Sequence, residues 1–357
     1  MSLSRQSSLV YTFAHQDLDG VSASYIYSNF CMKLSVAGRK FVPMAKYGTI
    51  DGPNSINGKI TSVLNRLAEN KEKHRSRFVE PSDFIIMDIT PSLAILTKIM
   101  TEFQHTRLLL IDHHELTQEY RDFCKRWEPT GRFIDGVKYL QQHMEIDLDH
   151  ESAASLTAKY IELVHDFYDQ DLRDYIEAVR GWDTWDWQKD PSFKFPVEAQ
   201  ILNICCSKFG PVPFLHRFVA GQGHVNYIQN ILTPFERLYG KEKLGRLEGK
   251  KKACLKKAVV KDMWIGQGSA SHSYSVAVLT CNKDQSEIGN YILHNHPDHP
   301  KAVIMYNNGS VSIRTLSGTD AVELAKKFNG GGHPEAAGGY KDPNLVNYIE
   351  NVLADKI

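Results

Sequence analysis

The stretches Phe84-Ile85-Ile86-Met87-Asp88 and Leu108-Leu109-Leu110-Ile111-Asp112-His113-His114 decide how this chain folds. Each is an unbroken apolar run that stops on Asp. A half-exposed strand alternates apolar and polar residues; an unbroken run marks a strand covered on both faces, as in parallel sheets flanked by helices. Working outward, SLVYTFA (8–14) is rich in β formers, and 20–34 carries Val21, Tyr25, Ile26 and Phe30 at helical spacing. FVPMA (41–45) reads as a strand and 55–74 as a helix with Ile60, Val63, Leu64 and Leu67 on one face. PSLAILTKIMTEF (91–103) reads as a helix with Pro91 at its first position. This alternation predicts an α/β domain: an open, mostly parallel sheet with helices on both faces. Such sheets take their ligands outside the carboxyl ends of the strands.

Further along, 151–181 reads as one helix bearing Leu156, Tyr160, Val164 and Phe167. The aromatic, Pro-containing stretch 182–200 suggests a domain edge, and 226–258 a long Lys-rich helix. From 273 the pattern changes to SYSVAVLTC, a helix, AVIMY and SVSIRTL, the last two joined by the hairpin signal Tyr306-Asn307-Asn308-Gly309-Ser310. This predicts a smaller α+β domain. The expected division is 1–190, a helical connector 191–262, and 263–357.

A chain of 357 residues has room for two or three domains and needs no covalent staple. A composition of 42% hydrophobic and 24% charged residues excludes disordered and fibrous classes. Lys+Arg and Asp+Glu both number 42, so the formal net charge is zero. Proteins that track a long polyanion carry a basic excess, so long nucleic acid is not an expected partner. Cys31, Cys124, Cys205, Cys206, Cys254 and Cys281 form no C-x-x-C pair and read as reduced thiols of a cytoplasmic protein. The opening residues show no secretory pattern, and no run is apolar for the roughly 20 residues a bilayer requires. A membrane is therefore not an expected partner.

The polar residues that break the pattern fall at strand ends. His15, Asp17 and Asp19 follow the first strand, with Gly20 allowing a tight entry into the helix; Asp88 and Asp112-His113-His114 follow the two apolar runs. An Asp at a strand–helix junction often caps the helix, and a lone His is often structural. Together, several Asp and His at successive ends of one sheet form a costly charge cluster unless a cation neutralises it. Carboxylates and imidazoles without Cys suit a divalent metal of the Mn or Mg kind.

His15-x-Asp17-x-Asp19-Gly20, Asp88 and Asp112-His113-His114 resemble the ordered motifs of the DHH phosphoesterase superfamily. Asp183, in Gly181-Trp182-Asp183-Thr184-Trp185, fits that family's fourth motif. Gly330-Gly331-Gly332-His333-Pro334-Glu335-Ala336-Ala337-Gly338 resembles the signature of the DHHA1 domain, as do Ser312-Ile313-Arg314 and Glu287-Ile288-Gly289-Asn290. The resemblance implies that His15, Asp17 and Asp88 hold one Mn²⁺ and that Asp19, Asp88, His113 and Asp183 hold a second, Mg²⁺ being the alternative ion. It implies that His114 orients or protonates the substrate and that Asp112 orients His113. It assigns substrate binding to Arg314, Asn290, Gly330, Gly331, Gly332 and His333. Consecutive glycines can aim backbone N–H groups at an anion, and Asn329-Gly330 is a helix stop after 319–328.

The short His-x-Asp-x-Asp-Gly spacing and the Asp-Thr-Trp near the fourth motif resemble the oligoribonuclease (NrnB-like) branch. The expected activity is hydrolysis of short RNA oligonucleotides to mononucleotides, with pAp or dinucleotides as further substrates. The rival readings are a cyclic-(di)nucleotide phosphodiesterase or an exopolyphosphatase-like hydrolase on the same scaffold. A rival from another class is an inactive nucleotide-binding regulatory module. The partners expected are short RNA or other small phosphate esters, with a homodimer left open.

Overall fold

In the computed structural model, residues 8–36, 41–49, 55–74, 78–114, 116–220, 231–265, 272–307, 310–316 and 318–340 are described. The chain divides into two units, Met1–Lys241 and Glu242–Ile357.

In the first unit β1 (Ser8–His15), β2 (Phe41–Gly48), β3 (Asp83–Met87), β4 (Arg107–Ile111) and β5 (Phe133–Asp135) are all parallel, in the order β2-β1-β3-β4-β5. The apolar runs are central because both their faces are covered. Helix α1 (Leu18–Val36) lies on one face. On the other, Tyr11, Phe13, Phe84, Ile86, Leu108 and Leu110 pack against α2 (Ile56–Lys73), α3 (Leu93–Glu102) and α4 (Gln118–Trp127). Each such buried side chain contributes about 1.5–3 kcal/mol, so burial rather than local propensity places the strands. Helices α5 (Gly136–His143) and α6 (Ala153–His165) return to the α1 side, where α6 packs on α1. The chain leaves β1 for β2 on one side and then crosses to β3 on the other. The β1–β3 boundary is thus a topological switch point, where open α/β sheets bind ligands.

The remainder of this unit differs from the sequence expectation. The helix expected over 151–181 is two helices, α6 and α7 (Arg173–Asp183). Asp166 turns left-handed (φ 50°) after α6, and Asp169 then accepts hydrogen bonds from Asn29 (2.7 Å) and Lys33 (2.8 Å) of α1. These ties draw the chain away from a continuous helix. Pro91 stays outside α3, whose N-cap is Ser92; Tyr120 donates to the Pro91 carbonyl, and Ser92 N–H donates to Asn57 at 2.9 Å. The three-residue β5 is too short to show a sequence period.

The aromatic stretch after α7 folds into this unit as α8 (Asp186–Lys189) and α9 (Pro196–Phe209). A Cβ on Gly181 would lie 2.0 Å from the Phe193 ring, so the ring packs there only because residue 181 is glycine. The sequence-defined connector comprises α9, α10 (Pro211–Ala220) and α11 (Pro234–Lys257), and the division between units falls inside α11.

The second unit has a six-stranded sheet. It contains β6 (Val259–Ile265), β7 (His272–Thr280), β8 (Ala302–Asn307), β9 (Ser310–Thr315), β10 (Gly331–His333) and β11 (Ala336–Tyr340). Their order is β10-β11-β9-β8-β7-β6, and only β7 and β8 pair in parallel. Helix α12 (Gln285–Asn295) packs on one face and α13 (Ala321–Lys326) on the other. Asn307 pairs with Ser310 as the hairpin signal requires, while its tip, 308–309, lies outside the described residues. Among the described residues no helix is long and apolar enough to cross a membrane.

Candidate metal centre

Asp88 and Asp112 are the residues immediately after β3 and β4, and His15 is the last residue of β1. Parallel pairing therefore delivers all three to one edge. His15 Nδ1 contacts Asp17 Oδ2 at 2.7 Å and lies 3.9 Å from Asp88 Oδ2. Asp17 Oδ1 accepts from Gly20 N–H at 3.1 Å, which closes the turn into α1. That turn demands glycine: a Cβ at residue 20 would sit 2.6 Å from the His15 carbonyl oxygen.

Asp19 is almost fully buried in the first turn of α1. Its two oxygens accept from Ala153 N–H (2.6 Å) and Ala154 N–H (2.9 Å), buried donors of the first turn of α6 that have no partner within the helix. Ser152 and Ser155 cap that helix reciprocally. The helix N-terminus thus holds an anion with its free N–H groups and its dipole. Sequence reasoning missed this partner. The Ser152-x-x-Ser155 pattern signals a helix start, but nothing local names the carboxylate it receives.

Asp88 is 4% exposed and left-handed (φ 57°), a conformation that costs a non-glycine residue roughly 1–2 kcal/mol. Such strain persists where the surroundings enforce it, often at functional sites. Here the Asp88 N–H is tied to the Ile111 carbonyl at 2.9 Å. The two Asp88 oxygens face different neighbours: Oδ1 lies 3.6 Å from His113 Nε2, and Oδ2 is buried with no hydrogen-bond partner. His113 Nε2 is also 3.5 Å from Oδ2 of Asp183, the last residue of α7. Among the described residues, ligand atoms within 4.8 Å of one another form three sets: His15, Asp17 and Asp88; Asp19, His113 and Asp183; Asp88, His113 and His114.

The electrostatics are those of an uncompensated cluster. Burial first, then the charges of Asp17, Asp19, Asp183 and Asp112, hold the Asp88 carboxyl well above the ordinary carboxylate range. Burial and the charges of Asp19 and Asp17 do the same to Asp183. Asp19 is raised by burial despite its backbone donors. Asp17 is lowered: burial opposes its ionisation, but the His15 hydrogen bond and charge outweigh it. Among the described residues no Lys or Arg forms an ion pair with Asp17, Asp19, Asp88 or Asp183. Hard oxygen donors with two imidazoles, around a buried oxygen that lacks a partner, match what a divalent cation of the Mn or Mg type requires.

One expected role is corrected. Asp112 serves His114, not His113. Its Oδ1 lies 2.6 Å from His114 Nδ1 and accepts from the His114 N–H at 3.2 Å, while Thr90 Oγ1 donates to its other oxygen. Burial disfavours the Asp112 anion, yet these donors hold its carboxyl below the usual range, and its partner His114 is raised. The sequence places Asp112 next to both histidines; the turn after β4 selects His114.

Around Asp183 the chain presents three half-buried indoles. The rings of Trp182, Trp185 and Trp187 lie 5.4–6.1 Å apart, with interplanar angles of 13–32°. In the second unit, Arg314 Nη1 donates to Ser312 Oγ (3.1 Å) and the Ile313 carbonyl (2.7 Å), and Nη2 to Ser286 Oγ (2.5 Å). Its Nε is buried without a partner, and burial pushes the guanidinium pKa down. Gly289 makes room for this side chain, since a Cβ there would lie 2.9 Å from Arg314 Cγ. Asn290 stands half-buried on α12.

The glycine run enters the sheet of the second unit. Gly331, Gly332 and His333 form β10, paired with Gly338, Ala337 and Ala336 of β11. A Cβ at Gly330 would sit 1.9 Å from the Gly338 carbonyl oxygen, so close backbone approach explains this glycine. The His333 side chain lies outside the described residues.

A match to the DHHA1 domain covers residues 273–355. Over 341 residues the chain is 24% identical to oligoribonuclease NrnB of Bacillus subtilis (strain 168), spanning 92% of this chain and 72% of that protein. Over 368 residues it is 23% identical to the 3',5'-cyclic-nucleotide phosphodiesterase of Helicobacter pylori (strain ATCC 700392 / 26695), spanning 93% of each. Its fold is similar to a crystal structure of exonuclease RecJ bound to manganese, with TM-score 0.55 and 14% identity over 98% of this chain and 90% of that one. The ordered Asp and His motifs gathered at one sheet edge, the DHHA1 match that follows them and the similarity to oligoribonuclease NrnB together support the DHH phosphoesterase superfamily for this chain.

Proposed function

We propose that this chain is a cytoplasmic phosphodiesterase that hydrolyses short oligoribonucleotides to mononucleotides, using two divalent cations, Mn²⁺ or Mg²⁺. The observation that carries the reading is Asp88, a buried, strained carboxylate with an unpartnered oxygen among four further carboxylates. Cations held there would supply Lewis acidity and an acidified water for attack on phosphorus, as two-metal sites do in phosphate-ester hydrolysis.

The chain's own residues have separable tasks in this reading. His15, Asp17 and Asp88 hold one ion; Asp19, Asp88, His113 and Asp183 hold the other. Asp88 would serve both ions, since its Oδ2 lies 3.9 Å from His15 Nδ1 and its Oδ1 3.6 Å from His113 Nε2. Asp19 is a pre-ordered ligand: the α6 donors fix each oxygen and leave each a further lone pair. His114, with Nδ1 held by Asp112, keeps Nε2 as the atom that donates a proton to a phosphoryl or leaving oxygen. Arg314, Asn290, Gly330, Gly331, Gly332 and His333 are assigned to anchoring a substrate phosphate. The buried, unpartnered Nε of Arg314 supports that assignment.

Two observations favour a nucleotide over inorganic polyphosphate. Relatives over more than nine-tenths of the chain are named as an oligoribonuclease and a cyclic-nucleotide phosphodiesterase. The three indoles beside Asp183 also offer π faces on which bases stack, worth about 1–3 kcal/mol per base. A second reading, cleavage of a cyclic nucleotide by the same centre, draws on the cyclic-nucleotide relative. The deciding experiment is a Mn²⁺-dependent panel of linear dinucleotides, three- to five-residue RNA, pAp, cyclic nucleotides and polyphosphate. Fastest turnover of linear RNA supports the first reading, and fastest cyclic cleavage the second. Tight binding without turnover of any substrate overturns both in favour of a regulatory module.

A further inference from the structure

Asp19 and Asp183 share one ligand set with His113, yet they arrive from distant parts of the chain and are held by different segments. Asp19 is fixed by the start of α6. Asp183 stands at the corner between α7 and α8, where Trp185 turns left-handed at φ 65°.

One side chain grips both segments. Arg180 lies on α7, one turn before the corner. Its Nη1 donates to the His150 carbonyl at 3.0 Å and to Asp186 Oδ2 at 2.6 Å. His150 ends the short turn Leu148–His150 that leads into Ser152, the N-cap of α6. Asp186 opens α8 and is 8% exposed; His150 Nδ1 lies 3.8 Å from its other oxygen. Nε and Nη2 of Arg180 are held by Glu177 at 2.9 and 2.6 Å, so the guanidinium plane is fixed on its own helix before it reaches across. The Arg180 carbonyl also accepts from Thr184, through N–H and Oγ1, both at 3.0 Å. Arg180 therefore ties the segment that fixes Asp19 to the corner that carries Asp183. The five donors of a guanidinium permit this, whereas a Lys ammonium cannot match its planar geometry.

We propose that Arg180 is a positioning residue that sets the separation of Asp19 and Asp183, and hence the affinity of the cation held by Asp19, His113 and Asp183. This rests on the two-cation reading. Residues that orient metal ligands typically alter affinity about 10–100-fold when removed.

The test is calorimetric titration of the full chain with Mn²⁺, alongside melting in chelator. Arg180→Met should weaken one of the two ions about 10–100-fold. The ion held by His15, Asp17 and Asp88 should stay within about twofold. Asp186→Asn should act in the same direction with a smaller effect, and keeps a hydrogen-bonding group if Arg180→Met folds poorly. Glu177→Gln, which loosens the bonds that fix the guanidinium plane, should weaken the same ion by less than Arg180→Met and leave the other unchanged. Arg180→Lys should recover only part of the affinity. A purely structural role predicts that both ions weaken together with the melting temperature; that result, or two unchanged ions, overturns the inference alone. A wild-type chain that takes up no Mn²⁺ overturns the cation centre and this inference with it.

Discussion

The two units each bury a polar atom without a partner, one on an acidic side chain and one on a basic side chain. Among the ionisable side chains described, in the first it is Oδ2 of Asp88, among carboxylates; in the second it is Nε of Arg314, with Glu287 the nearby acid that opposes its loss of charge. Burying an unpaired charged group costs several kcal/mol, so such an atom persists where a ligand completes it. The first unit lacks a positive partner and the second lacks a full negative one. The difference also lies in how each group is held. Asp88 is strained and repelled by its neighbours, whereas Arg314 is tethered by Ser286, Ser312 and a carbonyl. The first arrangement suits an ion that relieves repulsion, and the second an anion that docks on a prepared donor.

The largest expected effect breaks the first half of this comparison. Asp88→Asn should lower kcat by about a thousandfold or more, the scale of losing an electrostatic catalytic group. It should leave the metal-free melting temperature equal or higher, because a strained, repelled carboxyl is removed. Activity within tenfold of wild type would show that Asp88 is not the shared ligand.

Next in size is the response to metal and pH. Mn²⁺ at about a hundred times its dissociation constant should stabilise the chain by about 2.7 kcal/mol, and chelator should abolish turnover. In the metal-free chain, Asp88 and Asp183 have folded pKa values raised above their unfolded ones. They keep protons that the unfolded chain loses near pH 4, so they contribute stability at acid pH that falls away as pH rises through their folded values. Asp17 and Asp112, which are lowered, act with the opposite sign, and only below the ordinary carboxylate range. A metal-free melting temperature that rises steadily from pH 5 to 8 would contradict the cluster's electrostatics.

Arg314→Met sharpens the second half. It should raise KM about 10–100-fold, the equivalent of one charge-assisted contact of about 1.5–3 kcal/mol, with little change in kcat or Mn²⁺ affinity. Unchanged KM would remove the phosphate anchor. The smallest effect is structural. Gly330→Ala should cost about 1–3 kcal/mol, as overpacking does, by forcing β10 from β11 while Mn²⁺ uptake stays intact. Loss of Mn²⁺ binding in that variant would show that the two sites are not independent.

The sheet and its edge were legible from local pattern. The unbroken runs around Ile86 and Leu110 could be buried only by helices on both faces, and each ended on a polar residue. The helix break at Asp166 was hidden because its cause is a distant contact, Asp169 with Asn29 and Lys33. Asp112's choice of His114 was hidden because adjacent residues look equivalent until a turn separates them. That the glycine run forms a strand was hidden because a strand requirement for glycine shows only against the opposing backbone of β11.

By itself the order of residues determined which groups carry charge and that they stand at successive strand ends, because side-chain chemistry and period are local properties. Only the tertiary structure decided that Asp19 rests on the α6 N-terminus, that Asp183 meets His113, and that Arg180 spans both segments. Those pairings join residues far apart in the chain, and the geometry that selects them exists only once the sheet and helices have packed.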